Sequence, residues 1–218
     1  MAEAKSTEKR SRGRPQVRCD EDTKGLIIEA ADTQFRDNGY AAASISAIAQ
    51  AAGVSTKTLY RLFPTKTDLF SSIISDRIGR FLLAVDQSTL ATMDLRSGLE
   101  RLLIAYGMLT MSPDTVDIMR LVIAESDRVP EIATSFYERA IVGSNVVIEK
   151  WLTRQSERGL LKFEDIHMAS GMLRGMMIME PQRAAILRQQ KPPGIEDIAQ
   201  RARICADIFL KGSQVAAV

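Results

Sequence analysis

The tetrapeptide Ala52-Gly53-Val54-Ser55 constrains this chain more than any other stretch. Glycine enters the left-handed region without the steric penalty a Cβ imposes, so Gly53 can end a helix sharply. Ser55 follows with a side-chain oxygen able to accept a bond from an orphan N–H at the start of the next helix. Upstream, Ser44 is a cap of the same kind, and Ile45, Ile48, Ala49 and Ala52 fall on one helical face. Downstream, Leu59, Leu62 and Phe63 are expected inward, with Thr56, Lys57, Thr58, Tyr60 and Arg61 outward, before Pro64 stops the helix. Two short helices, a glycine turn, and a polar, basic outer face on the second predict a helix-turn-helix that enters duplex DNA.

Each outer residue of the second helix offers a distinct contact. Ser55 and the free N–H groups behind it suit a phosphate. Thr56 and Lys57 lie in the first turn, where lysine can donate to guanine O6 or N7 in the major groove. Thr58 has a methyl for thymine and a hydroxyl for phosphate. Tyr60 and Arg61, one turn on, are long enough to reach the backbone; the competing readings are domain packing for Tyr60 and a solvated surface charge for Arg61.

Ser44 to Phe70 resembles the N-terminal signature of the TetR family of transcriptional regulators. The resemblance rests on Ser44, Ile48-Ala49, Ala52-Gly53-Val54-Ser55, Thr58-Leu59-Tyr60, Phe63-Pro64, Lys66 and Leu69-Phe70. It implies a phosphate contact for Lys66 and makes Ser46, near the start of the first of the two helices, a further candidate, although family members often carry a longer side chain there. It also implies a homodimer whose two reading helices meet the half-sites of palindromic operator DNA, and a small apolar or amphipathic effector held in a second domain. The usual direction of control is repression relieved by the effector.

Charge is concentrated where such a partner would use it. The chain carries a net charge of +2, yet residues 1–66 hold 11 basic and 8 acidic side chains, and the first 18 residues hold 6 and 2. A polyanion bound largely through counterion release fits that asymmetry. Residues 1–19 have almost no apolar content and are expected to be a disordered basic arm. Within it, Arg12-Gly13-Arg14-Pro15 resembles the core of an AT-hook, which would place Arg12 and Arg14 in a narrow minor groove; a nonspecific basic arm is the other reading.

The remainder reads as all-α. Thr23 to Asn38 is predicted as the first helix, with Ile27, Ala31 and Phe35 on one face and Gly39 as terminator. A long helix from Thr65 to about Val85 would run from the DNA-binding domain (20–67) into a larger helical domain (68–218). Further helices are predicted over Leu95 to Met111, Pro113 to about Ser126 and Pro130 to Gly159. The last two, Phe163 to Met179 and Ile195 to Lys211, follow a Ser/Thr-containing connector earlier and the Lys191-Pro192-Pro193-Gly194 break between them. No alternating strand pattern and no internal repeat occur. The second domain resembles, more loosely, the C-terminal domain of AcrR-like and AefR-like members through RLVIAESDRVPEIATSFYER (120–139) and Gln155 to Leu160. That resemblance implies dimerisation through the last two long helices. It also implies an effector pocket in the middle helices, for which Phe81, Tyr106, Met111, Met119, Phe136, Trp151, Met172 and Met176 are the candidate lining, against the alternative that each is core.

No sequence pattern invites catalysis or a resident cofactor. His167 is the lone histidine, no metal-ligand cluster or phosphate-cradling glycine loop is present, and Cys19 and Cys205 are too few and too far apart for a disulfide scaffold. With no apolar run long enough to span a membrane and no apolar segment behind the basic N-terminus, a cytoplasmic protein is expected. The competing function is a helical small-molecule-binding or enzymatic protein in which the N-terminal motif is only structural; it predicts no affinity for DNA duplex.

Overall fold

In the computed structural model, which describes residues 19–213, eleven α-helices and one π-helical turn follow one another, with no β-strand among the described residues. Helices α1 (Asp20–Ala42), α2 (Ile45–Ala51), α3 (Thr56–Leu62) and the first half of α4 (Lys66–Ala84) build the N-terminal unit. Each start has a chemical cause. The hydroxyls of Ser44 and Ser55 accept from the N–H groups of Ala47 and Thr58. Thr65 and Asp68 form a reciprocal capping box at the head of α4. Gly53, at φ 66°, closes α2 in the left-handed conformation its sequence position requires. Helix α1 begins three residues earlier than the periodicity predicts, because Cys19 Sγ accepts from the Asp22 N–H and extends the first turn. It breaks at Gly39, where the spacing predicts its end.

Two apolar cores hold the chain, and α4 contributes to both. Toward its start, Leu69, Phe70, Ile73 and Ile74 pack with Ile27, Phe35, Tyr40, Ile48 and Leu59. That same core takes in Ile118, Leu121 and Val122 of α7 (Pro113–Glu125), with Ile132 and Phe136 of α8 (Pro130–Phe136). Toward its end, Phe81 joins the second core with Leu99, Leu102 and Tyr106 of α6 (Leu95–Thr110), Ile148 and Trp151 of α9 (Gly143–Glu157), and Leu173 of α10 (Ile166–Ile186). The predicted domain limit at 67/68 therefore falls in the first turn of a helix whose apolar contacts run continuously from one core to the other.

The second core is completed by α11 (Ile195–Ser213), which lies along α6. Their close approach depends on Gly107, where an added Cβ would sit 2.6 Å from Ile198 Cγ2 and 2.8 Å from Met177 Cε. Three elements differ from the sequence expectation. The Ser/Thr connector contains a short helix, α5 (Gln87–Thr92), because the Asp86 carboxylate accepts from the Ser88 and Thr89 N–H groups. The expected single helix from Pro130 to Gly159 is divided by a π-helical turn over Tyr137–Val142. Helix α10 continues past Met179 to Ile186 with Pro181 inside it. Its final turn is held from outside: Arg120 of α7 donates to the carbonyls of Ala185 and Ile186, and Gln182 Nε2 donates to the Thr110 carbonyl at 2.9 Å.

Candidate functional site

Helix α3 presents one continuous polar edge. Leu59 is fully buried and anchors it to the first core, while Thr56, Lys57, Tyr60 and Arg61 are exposed and Thr58 is half-buried. Lys57 has no hydrogen-bond or ion-pair partner among the described residues, and Tyr60 is 51% exposed. Tyr60 is therefore outside the core, and the packing alternative does not describe it. Ser55 and Thr58 share a hydrogen bond between their hydroxyls at 2.9 Å, so both are first occupied in shaping the turn. Ser44 caps α2, and Ser46 is exposed on it.

Two of the basic candidates have intramolecular roles the sequence did not announce. Arg61 makes a two-pronged pair with Asp20 at the head of α1, at 2.7 and 2.8 Å, and this bond holds the Asp20 carboxyl below its usual range. The pair is solvent-exposed, so it orients α3 on α1 more than it stabilises the fold. Lys66 is half-buried; its ammonium donates to the Ala41 carbonyl at 3.2 Å and sits 4.8 Å from the Tyr40 ring centroid. Burial pushes its pKa down, with Glu125 opposing. Arg12 and Arg14 lie outside the described residues.

In the second half of the molecule, a cavity of about 230 Å³ opens between α4, α6, α7, the π-helical turn and α10. Tyr106, Met119 and Phe136 line it, together with Ile74, Ile118 and Ile178. The π-helical turn shapes this wall. Ala140 and Ile141 face the cavity there, and Ser144 Oγ returns to their carbonyls at 2.7 and 3.1 Å, satisfying backbone acceptors that the widened turn displaces. A larger cleft of about 770 Å³, to which Phe81 contributes, lies on the other side of Arg77, Leu109 and Thr115.

The remaining lining candidates lie elsewhere. Met111 and Trp151 are enclosed in the second core, since their large side chains fill the space under α6 and α9. Met172 is 62% exposed, because its position on α10 points away from the bundle. Met176 borders a surface groove between α10 and α11. His167 is on the surface, its Nδ1 2.8 Å from Glu149 Oε1.

Sequence reasoning passed over two cavity residues that carry charge. Arg77, with its side chain 11% exposed, donates to both Asp32 oxygens of α1 at 2.8 and 3.0 Å. Asp32 also faces Arg36, which pairs with Asp114 of α7. One network thus joins the cavity wall to the N-terminal unit. Arg174 is the other: its Nε bonds the Ser170 carbonyl at 3.2 Å, and its Nη1 donates to Asn145. Burial pushes the Tyr106 phenol up, while the charge of Arg174 beside it pulls it down. The available signal was a lone arginine in the apolar run Gly171-Met172-Leu173-Arg174-Gly175-Met176-Met177.

Comparison with known proteins bears on both regions. Residues 27–73 match the family described as bacterial regulatory proteins, tetR family. Residues 97–212, more than half the chain, match the AefR-like transcriptional repressor, C-terminal domain. The HTH-type transcriptional activator FasR of Mycolicibacterium smegmatis is 31% identical over 86 residues, 39% of this chain and 39% of FasR, so the match spans well under two thirds of that protein. A solved TetR-type structure from Mesorhizobium loti shares the fold with a TM-score of 0.79 at 24% identity, over 90% of this chain and 98% of that one. The flavonoid-responsive regulator FrrA superposes with a TM-score of 0.70 at 27% identity, over 89% and 98% of the two chains.

Proposed function

The chain belongs to the TetR family of bacterial transcriptional regulators, and from that premise we propose that it acts as a homodimeric repressor released from palindromic operator DNA by a small amphipathic effector. The observation that carries the reading is the exposed row Thr56, Lys57 and Tyr60 on a helix whose inner face is locked into the core by Leu59. Ser44, Ser46, Ser55, Thr58, Arg61 and Lys66 surround that row. Of these, Arg61 and Lys66 would exchange an existing bond to Asp20 or Ala41 for one to phosphate. Arg12 and Arg14 of the arm would add contacts alongside.

Dimerisation is supported by an apolar face on the last two long helices. Met168, Met172 and Met179 on α10 and Ile195, Ile204 and Ile208 on α11 are each about half exposed or more. A monomer leaving such a patch in water forgoes its burial, and a two-fold interface is self-complementary by construction. The two reading helices would then meet half-sites about one helical turn apart, ~34–36 Å. The effector would occupy the cavity bordered by Tyr106, Met119 and Phe136, with Phe81 on the adjoining cleft, and shift the population towards the spacing that does not fit DNA. FrrA, of the same fold, is named for its response to flavonoids, which supports a small ligand of this kind.

Titration of the purified chain into the duplex upstream of its own coding sequence, over a series of salt concentrations, tests this reading. Two chains should bind per palindrome. Removing residues 1–18 should weaken binding and flatten the salt slope by about 4, the share of two arginine–phosphate contacts from each of the dimer's two arms. An unchanged slope contradicts the role of the arm, and saturation at one chain per site contradicts the dimer.

A further inference from the structure

We propose that the cavity takes a ligand with an apolar body and a single carboxylate end, and that Arg174 is the residue that reads the carboxylate. The inference rests on the effector reading above and names the ligand class of that cavity.

The polar groups of the wall are hydrogen-bonded within the protein, apart from the Arg77 Nε, and only one of them carries a charge that no carboxylate answers. The Gln182 amide donates to the Thr110 carbonyl, the Thr110 hydroxyl to the Tyr106 carbonyl at 2.7 Å, and Ser144 to the carbonyls of the π-helical turn. The charge of Arg77 is answered by Asp32. Arg174 is held only by neutral groups, namely the Ser170 carbonyl, the Ser170 hydroxyl at 3.3 Å, the Asn145 amide oxygen and the Tyr106 hydroxyl. Among the described residues it forms no ion pair. Those same bonds fix the guanidinium plane, so little side-chain entropy remains to be lost when a ligand arrives.

A fixed, unpaired cation beside apolar walls discriminates among ligands. A cationic ligand is repelled, and a neutral one of the same shape leaves the guanidinium without the partner that low polarity makes most valuable. A carboxylate supplies the opposite charge that Arg174 lacks, on oxygens that accept charge-assisted hydrogen bonds. The aliphatic and aromatic side chains of Ile74, Met119, Phe136 and Ile178 cover the rest of the ligand. The cavity volume is below the roughly 300–1,000 Å³ of drug-sized sites, which favours a short body.

Octanoate, methyl octanoate and 1-octanol, titrated calorimetrically into the full-length protein, separate charge from shape. Octanoate should bind about tenfold to a hundredfold more tightly than either neutral analogue, the range for a hydrogen bond to a charged group. In Arg174→Met that preference should collapse to about onefold. Gly175→Phe grows into the cavity, where an added Cβ meets no atom within 4 Å, and should bind none of the three. Helical circular dichroism of both variants establishes that they fold. Equal affinities for acid and ester in the wild type, both lost in Gly175→Phe, would overturn the carboxylate inference and leave the cavity as the effector site. Absence of binding by all three, or binding that survives Gly175→Phe, would overturn the inference together with the effector reading of the cavity.

Discussion

Phe70→Ala is expected to lower the unfolding free energy by about 3–5 kcal/mol, the range for deleting a buried aromatic side chain. Phe70 is completely buried, with its ring centroid 6.1 Å from Phe35 and 5.8 Å from Tyr40, edge-on to both. Its removal would leave a void where α1, α4 and the segment after Gly39 meet, and the close-packed neighbours can only partly collapse into it. Against a typical total of about 5–15 kcal/mol, the loss is severe. Urea unfolding followed by far-ultraviolet circular dichroism measures it directly. A change under about 1 kcal/mol would show that this aromatic cluster does not carry the join between α1 and α4. Because α3 is mounted on the same core, the variant should also bind DNA less tightly at temperatures where it is partly unfolded.

The second large effect is expected at Arg77. Arg77→Met should cost about 3 kcal/mol, the lower end of what breaking a buried pair costs, since Arg36 still faces Asp32 in the variant. The variant Asp32→Asn should be less harmful in combination with Arg77→Met than the two separate losses predict, because each removes the same bond. Strict additivity in a thermal or urea unfolding cycle would contradict the pairing. The position of Arg77 also bears on the proposed effector response. Arg77 borders both cavities and holds α1, so under the proposed function a ligand that moved its side chain would act on the N-terminal unit through two hydrogen bonds.

Much of this architecture was legible in the sequence because local chemistry dictates it. Ser44, Gly53, Ser55 and Pro64 punctuate the chain as caps, turn and stop, and the structure ends and starts helices there. The apolar spacing of α4, α6 and α11 likewise has one buried solution. What escaped was non-local. The Arg77–Asp32 and Arg61–Asp20 pairs join residues 45 and 41 positions apart, and nothing in the neighbourhood of either partner signals the other. The π-helical turn was hidden because a single inserted residue changes which face is buried without interrupting the run of helix formers. The candidate lining was legible only in part for a related reason. Periodicity separates inward from outward residues, but it does not distinguish the wall of a cavity, where Tyr106 and Phe136 lie, from filled core, where Trp151 and Met111 lie. Met172 was misplaced by a simpler effect, since α10 is apolar on several sides and its stripe does not identify the inner one.

The most direct measurement for the account is the affinity of the full-length chain for the duplex upstream of its own coding sequence, compared with a scrambled duplex at fixed salt. Wild type should prefer the upstream duplex. Lys57→Ala and Tyr60→Ala, both at exposed positions where folding is little affected, should each weaken that complex by about fivefold to a hundredfold, the worth of one direct contact. Undiminished affinity in both variants would contradict the assignment of α3 as the helix that reads DNA.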